Sequence, residues 1–255
     1  MRVAVVGAGT IGSAVATRLR DGELDGASFV GFLVRNCPDP ADDRLGDIDD
    51  LLARAPTVVV EAAGATAVHE CGERVLAAGC DLVCLSVAAL ADGELVQRLG
   101  SAARGAGARI LVPSGAIGGL DVIAAAAAGD LEEVVVEQRK PPGVLLGEQE
   151  AAALAEPLTV YDGSVAGAVV RYPKSTNVAA AVALAGLGFE HTRARVVADP
   201  ALTANVAVVT AVGGFGRLSL MLENVVSANP RTSAIVADSV LATLRRSVEE
   251  IVVPA

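Results

Sequence analysis

The chain opens on an apolar run, Val3 to Val6, with no polar residue at alternate positions; a run this short and continuous predicts a strand covered on both faces. Thr10 to Arg20 then repeats small and aliphatic residues at helical spacing, and Phe29 to Val34 is a second apolar run, so the start reads as a βαβ unit. The alternation continues with a helix over 47–54, a strand over 57–60, a helix over 65–78, a strand over 81–85, a helix over 92–105 and a strand over 108–112. That order predicts a doubly wound parallel sheet ending near Val112. Beyond the loop PSGAIGGLD comes an Ala-rich helix, then strands over 131–138, 158–161, 166–171, 193–198, 204–211 and 216–223, interrupted by a helix from Val178 to Leu187. Strands in series with one helix among them predict an α+β domain with a mostly antiparallel sheet. A last helix starts at NPRTS, capped by Thr232 or Ser233, and runs to about Glu249. The expected division is 1–112 with 230–255 in the first domain and 113–229 in the second.

One apolar run breaks the pattern. In TANVAVV, residues 203–209, the amide Asn205 sits where burial is costly, and alternation puts Ala207 beside it on the same face. An amide in such a run is placed to meet a ligand or a partner.

Composition narrows the classes. Aromatics are 2% of 255 residues and Trp is absent, so the core rests on Ala, Val and Leu. The formal charge is −10 with basic residues scattered, which leaves a nucleic acid no footprint. Mean hydropathy is +0.53, yet the longer uncharged stretches, 175–189 and 201–216, carry Thr, Asn and Gly and fall short of the roughly 18 to 20 apolar residues a membrane span needs. The start MRVAVVGAG enters a strand at once, without the parts of a signal peptide, so a cytoplasmic location is expected. Cys37, Cys71, Cys80 and Cys84 show no metal-binding spacing and no metal is expected.

The first strand leads into Gly7-Ala8-Gly9-Thr10-Ile11-Gly12, a GxGxxG that opens a helix, as in a Rossmann dinucleotide site. Gly7 permits the tight turn, Gly9 lets backbone approach a pyrophosphate, and Gly12 lets helix and strand pack closely; Thr10 and Ile11 begin the helix whose N-terminus faces the phosphates. The second strand ends on Val34 and Arg35, where an acid would normally hold the adenosine ribose. With that acid missing and Arg35 able to pair with a 2′-phosphate, the expected cofactor is NAD or NADP.

VVEAAG (59–64), LVCLSVAAL (82–90), VPSGAIGGLD (112–121), RKPP (139–142), YPKSTNVAAAVALAG (172–186), ADP (198–200), NVAVV (205–209), GGFGR (213–217), EN (223–224) and NPRTS (229–233) run in order through nearly the whole chain. Together they resemble L-aspartate dehydrogenase, whose second domain is dihydrodipicolinate-reductase-like. The resemblance implies oxidative deamination of L-aspartate with NAD or NADP by a homodimer, with Ala116 and Asn177 against the dinucleotide. Asn177 also stands where a helix N-cap would. The family's catalytic His follows an Asn by two positions; here that pattern is Asn205-Val206-Ala207, so Ala207 stands where the imidazole is expected. His69 and His191 fall in other segments and read as surface residues.

A dicarboxylate needs cations, and Arg139, Lys140, Lys174 and Arg217 lie in the matching stretches, with Lys140 and Lys174 ranked first. Three readings stay open: an aspartate dehydrogenase impaired by loss of its base, whether naturally or by design; a paralogue reducing another imine or amino acid; and a dinucleotide-binding protein without catalysis. The expected cofactor position is a crevice between the two domains, with Ala207 and Asn205 near the nicotinamide.

Overall fold

The computed structural model describes residues 1–35, 43–225 and 233–253. They divide into two units, Met1–Gly115 with Ala237–Val253, and Ala116–Val236. Asn36, Cys37 and Thr232 lie outside the described residues.

The first unit is built on a six-stranded parallel sheet. Its strands are β1 (Arg2–Val6), β2 (Ser28–Leu33), β3 (Arg44–Leu45), β4 (Val58–Glu61), β5 (Asp81–Cys84) and β6 (Ile110–Leu111), in the order β3-β2-β1-β4-β5-β6. Helices α1 (Thr10–Arg20), α2 (Ile48–Ala53), α3 (Ala65–Ala77) and α4 (Gly93–Ala106) alternate with them. The order reverses at β1, where Val3 pairs with Phe29 of β2 on one side and Val58 of β4 on the other. Sheet order makes this the topological switch point, where open α/β sheets place their ligands. Val3, Val5, Val15, Val60 and Val83 share one buried cluster with Val240 and Leu244. The last two belong to the C-terminal helix, Ile235–Arg245, which ends four residues short of the expected Glu249.

The second unit carries a five-stranded sheet in the order β11-β10-β7-β9-β8. Here α5 (Leu120–Ala127) precedes β7 (Leu131–Lys140), α6 (Pro142–Leu145) and α7 (Glu148–Ala153), and then come β8 (Leu158–Ser164), α8 (Val165–Arg171), α9 (Asn177–Ala185), α10 (Gly188–His191), β9 (Arg193–Ala198), β10 (Val206–Gly213) and β11 (Gly216–Glu223). All pairings are antiparallel except β7 with β9. One face of β7 presents Val134, Val136, Gln138 and Lys140, all buried, and α9 packs on that strand.

The expected strand over 166–171 is a helix. Ser164 ends β8 and caps α8, its hydroxyl accepting from the Gly167 N–H at 3.2 Å, and Val165 and Ala168 then bury at helical spacing. The alternation of small and aliphatic residues in AGAVVR fits both periods, and the cap decides between them. Asn177 does not cap α9 either: Thr176 takes the N-cap position and Asn177 is the first helical residue.

Candidate active site

In the first unit, chemistry is prepared by backbone. Gly7 has φ +95°, and a Cβ there would lie 2.9 Å from the Ala62 carbonyl oxygen. At Gly12 a Cβ would fall 2.0 Å from the Gly7 carbonyl oxygen, so only glycine lets α1 leave β1 this closely. Gly9 differs: a Cβ there meets nothing within 4 Å. It caps α1 with no side-chain acceptor, so the first backbone N–H groups of the helix remain for an anion. A cleft of about 620 Å³ opens here, lined by Gly7, Gly9, Val34, Arg35, Glu70 and Arg74 among others. The bare Gly9 cradle, the uncapped helix end and the cleft fit a dinucleotide.

At the cleft, the two residues after β2 are Val34 and Arg35, neither of them a carboxylate. Arg35 is exposed and stands 3.7 Å from Glu70, a pair too loose and too wet to hold it firmly. Arg74 is already bonded to Asp49.

The sequence reading quoted Glu61 within VVEAAG and gave it no role. At 1% exposure it ends β4 and accepts from the Ala63 and Gly64 N–H groups at 2.8 and 2.7 Å and from the N–H and hydroxyl of Ser86, both at 3.0 Å. One carboxylate thus ties the β4 turn to the end of β5. The signal was a charge directly after an apolar run.

In the second unit the site is made by side chains. Ala207 lies opposite Gln138 and Val206 opposite Arg139; one further step in this register sets Asn205 across from Lys140. Alternation puts Lys140, Gln138, Asn205 and Ala207 on one face, with cross-strand Cβ atoms about 5 Å apart. Lys140 and Gln138 both donate to the Ser175 carbonyl at 3.1 Å. Gln138 Oε1 and Asn205 Oδ1 are buried and accept no hydrogen bond from the described residues. Lys140 is 8% exposed, and burial alone pushes its ammonium down to about 8. Asn205 also accepts from the Asn224 N–H at 2.9 Å through its backbone, and the Asn224 side chain donates to the Ala116 carbonyl at 3.3 Å, which brings the SGA turn to the same end of β10.

Of the expected site residues, this patch gathers Lys140, Asn205 and Ala207, with Ala116 one amide away. It does not gather three others. Lys174 is exposed, and Arg217 pairs with Val212 at the far, hairpin end of β10. Arg139 points to the opposite face, where it bonds Asp199 at 2.6 Å and Glu137 at 3.1 Å; the Arg139 bond, and then the Ala201 N–H, hold the Asp199 carboxyl below its ordinary value. Asn177 opens α9 two residues after the Ser175 carbonyl. His69 and His191 are exposed. Gln138 was missed; the alternation in VVVEQRK, which sets it between Val136 and Lys140, was the available signal.

Among the described residues no group of three or more His, Cys, Asp or Glu is placed to hold a metal, and no helix is long and apolar enough to cross a membrane.

A switch-point cleft prepared for a dinucleotide and an α+β unit with a buried amine and unpartnered amides define a two-domain, nucleotide-dependent dehydrogenase. Residues 7–113 match the family described as homoserine dehydrogenase, NAD binding domain, and residues 121–247 match aspartate dehydrogenase, C-terminal. L-aspartate dehydrogenase 2 of Bordetella pertussis is 43% identical, the match covering 96% of each chain. L-aspartate dehydrogenase of Ruegeria pomeroyi is 38% identical, over 96% of this chain and 92% of its own. The crystal structure of aspartate dehydrogenase from Thermotoga maritima superposes with a TM-score of 0.82 at 30% identity, over 100% of this chain and 99% of that one. The chain belongs to the aspartate dehydrogenase family. It is an amino-acid dehydrogenase that uses NAD or NADP.

Proposed function

We propose that this chain oxidises L-aspartate to its imine, which hydrolyses to oxaloacetate and ammonia. The observation that carries the reading is the buried patch of Lys140, Gln138 and Asn205, set in a chain similar to L-aspartate dehydrogenases along nearly its whole length. Two unpartnered amide oxygens suit an α-ammonium group, and a buried amine suits a carboxylate or a proton. When bound, the dinucleotide supplies the hydride acceptor. Gly7, Gly9, Thr10, Ile11 and Gly12 hold its phosphates; Ala116 and Asn177 are assigned to it with them. The residues of the second unit orient the substrate and carry protons.

The missing acid after β2 and the free reach of Arg35 favour NADP binding at least comparable to NAD. The exposed edge of β11, with Met221 and Phe215 open, suits a second copy of the chain, and the expected form is a cytoplasmic homodimer.

Ala207 stands at the position of the family's imidazole. The test is Ala207→His, assayed with L-aspartate and both dinucleotides, with thermal unfolding as a check on folding. The expected result is a rise in kcat of about a hundredfold with cofactor affinity little changed, because a base acts on the transition state. A folded variant that binds dinucleotide but shows no turnover of aspartate would assign the pocket to another imine or amino acid, or to binding alone.

A further inference from the structure

We propose that Lys140 is the proton-carrying catalytic group of this chain, doing the work for which position 207 offers only a methyl group. The assignment rests on the reading of L-aspartate as substrate.

The placement is the first argument. Gln138 pairs with Ala207 across β7 and β10, and Lys140 and Asn205 lie one step beyond the last pair, Arg139 with Val206, on the same sheet face by alternation. The Lys140 amine and the Gln138 amide donate to one carbonyl, that of Ser175, so the amine nitrogen converges with the side chain that is paired with Ala207. An imidazole at 207 would sit on the diagonal from Lys140, within reach of so long a side chain.

The surroundings are the second. β9 sets Ala198 beside Lys140, Asn205 stands one residue ahead of β10, and the 172–176 turn contributes the Ser175 carbonyl with the exposed Lys174 beside it in sequence. Glu137, Arg139 and Asp199 bond one another on the opposite face. No carboxylate among the described residues pairs with the Lys140 amine, so desolvation keeps it near 8 and about half of it is neutral at that pH.

Residue choice is the third. The chain has 20 basic residues and only two are lysine, Lys140 and Lys174. Arginine serves wherever a fixed positive charge suffices, and arginine keeps its proton at any working pH. Position 140 holds a cation that can give its proton up.

The steps balance with this one group. The α-ammonium first gives one proton to neutral Lys140, which passes it to solvent, and hydride loss from the neutral amine then leaves the α-carbon as an iminium, C=NH2+. Water oxygen bonds to that carbon as neutral Lys140 takes one water proton, leaving a neutral carbinolamine and an ammonium. Lys140 returns the proton to the amine nitrogen. The C–N bond then breaks with its electron pair leaving on ammonia, the carbonyl forms, and the hydroxyl proton passes to Lys140 and on to solvent. The sum is iminium plus water giving ketone, ammonia and one proton.

With two lysines the titration can be read directly. Protein labelled with 13C-lysine and free of dinucleotide is followed through about pH 6 to 11, Lys174→Arg assigning the two ε-carbon signals. Lys140 is expected to titrate near 8, well below the ordinary lysine value. Lys140→Arg, which keeps charge and loses titration, is expected to lower kcat for L-aspartate about a hundredfold with KM within about threefold, and to abolish the rise in rate through pH 8. In the Ala207→His background the same change should cost less than about tenfold. A Lys140 midpoint above about 10, or a Lys140→Arg enzyme altered in KM alone, overturns the assignment and leaves the substrate reading standing. Absence of aspartate turnover by the unmodified protein at any pH overturns the substrate reading and the assignment with it.

Discussion

The two candidate sites are built from different materials. In the cleft at Gly7 to Gly12 the working groups are backbone N–H donors and the space left by missing side chains. On the β7–β10 face they are side chains, positioned by register and desolvated by their neighbours. A backbone site fails where an added atom meets backbone, as at Gly7 and Gly12, and its N–H donors do not titrate. A side-chain site tolerates substitution sterically and loses its chemistry when one titratable group changes. On the proposed reading the same contrast separates binding from reaction: the first unit holds a common cofactor, and the second acts on a particular substrate.

Substitutions at the glycines break the comparison hardest. Gly12→Ala drives a Cβ to 2.0 Å from the Gly7 carbonyl oxygen, a backbone atom that cannot yield without moving the turn. Dinucleotide affinity should fall at least about a hundredfold and the unfolding midpoint should drop. Gly9→Ala has open space and ordinary φ, so stability should hold while affinity falls, since the new methyl occupies the path of the pyrophosphate. Titration calorimetry beside thermal melts separates the two; equal stability loss in both would refute the roles given to them.

Lys140→Met probes the opposite material and has the opposite sign. The folded amine sits near 8 against an ordinary 10.5, so at neutral pH the fold bears the cost of a buried charge of about 3 kcal/mol. Below pH 8 the Met variant should be more stable than the parent by up to roughly this amount. Between about 8 and 10.5 the unfolded parent keeps a proton that the folded parent has released, so parent stability climbs with pH and the difference closes. Urea midpoints of both proteins at several pH values check it; a Met variant less stable at pH 7 would contradict the desolvated amine.

Val34→Asp is the mildest change. A carboxylate at the end of β2 would accept from a ribose 2′-hydroxyl and repel a 2′-phosphate, shifting the NAD to NADP preference about tenfold or more toward NAD. Competitive titration with both dinucleotides measures it, and an unchanged ratio would remove Arg35 from the argument.

This division also explains what was legible in the sequence. The Gly-rich turn showed because its constraint is local: Gly12 must clear Gly7, five residues away. The β7–β10 patch joins residues some 65 positions apart, and only the register pairs Gln138 with Ala207. Lys140 was found through resemblance and Asn205 first as a polar break in an apolar run, whereas Gln138, lying in none of the matching stretches, was passed over. Arg139 and Arg217 stood as candidate cations behind Lys140 and Lys174, since type and neighbourhood do not show which way a side chain points. Strand alternation turned Arg139 to the ion-paired face, and hairpin geometry carried Arg217 to the far end. The helix at Val165–Arg171 was misread for a related reason, because small residues satisfy both periods and a single hydroxyl at Ser164 settles which one forms.

The most direct measurement is the pH dependence of kcat for L-aspartate with the unmodified protein and saturating dinucleotide. The account predicts turnover that rises through a limb near pH 8, the signature of the buried Lys140 amine. A limb near the ordinary histidine value of about 6.5, a flat profile, or no turnover at any pH would contradict it.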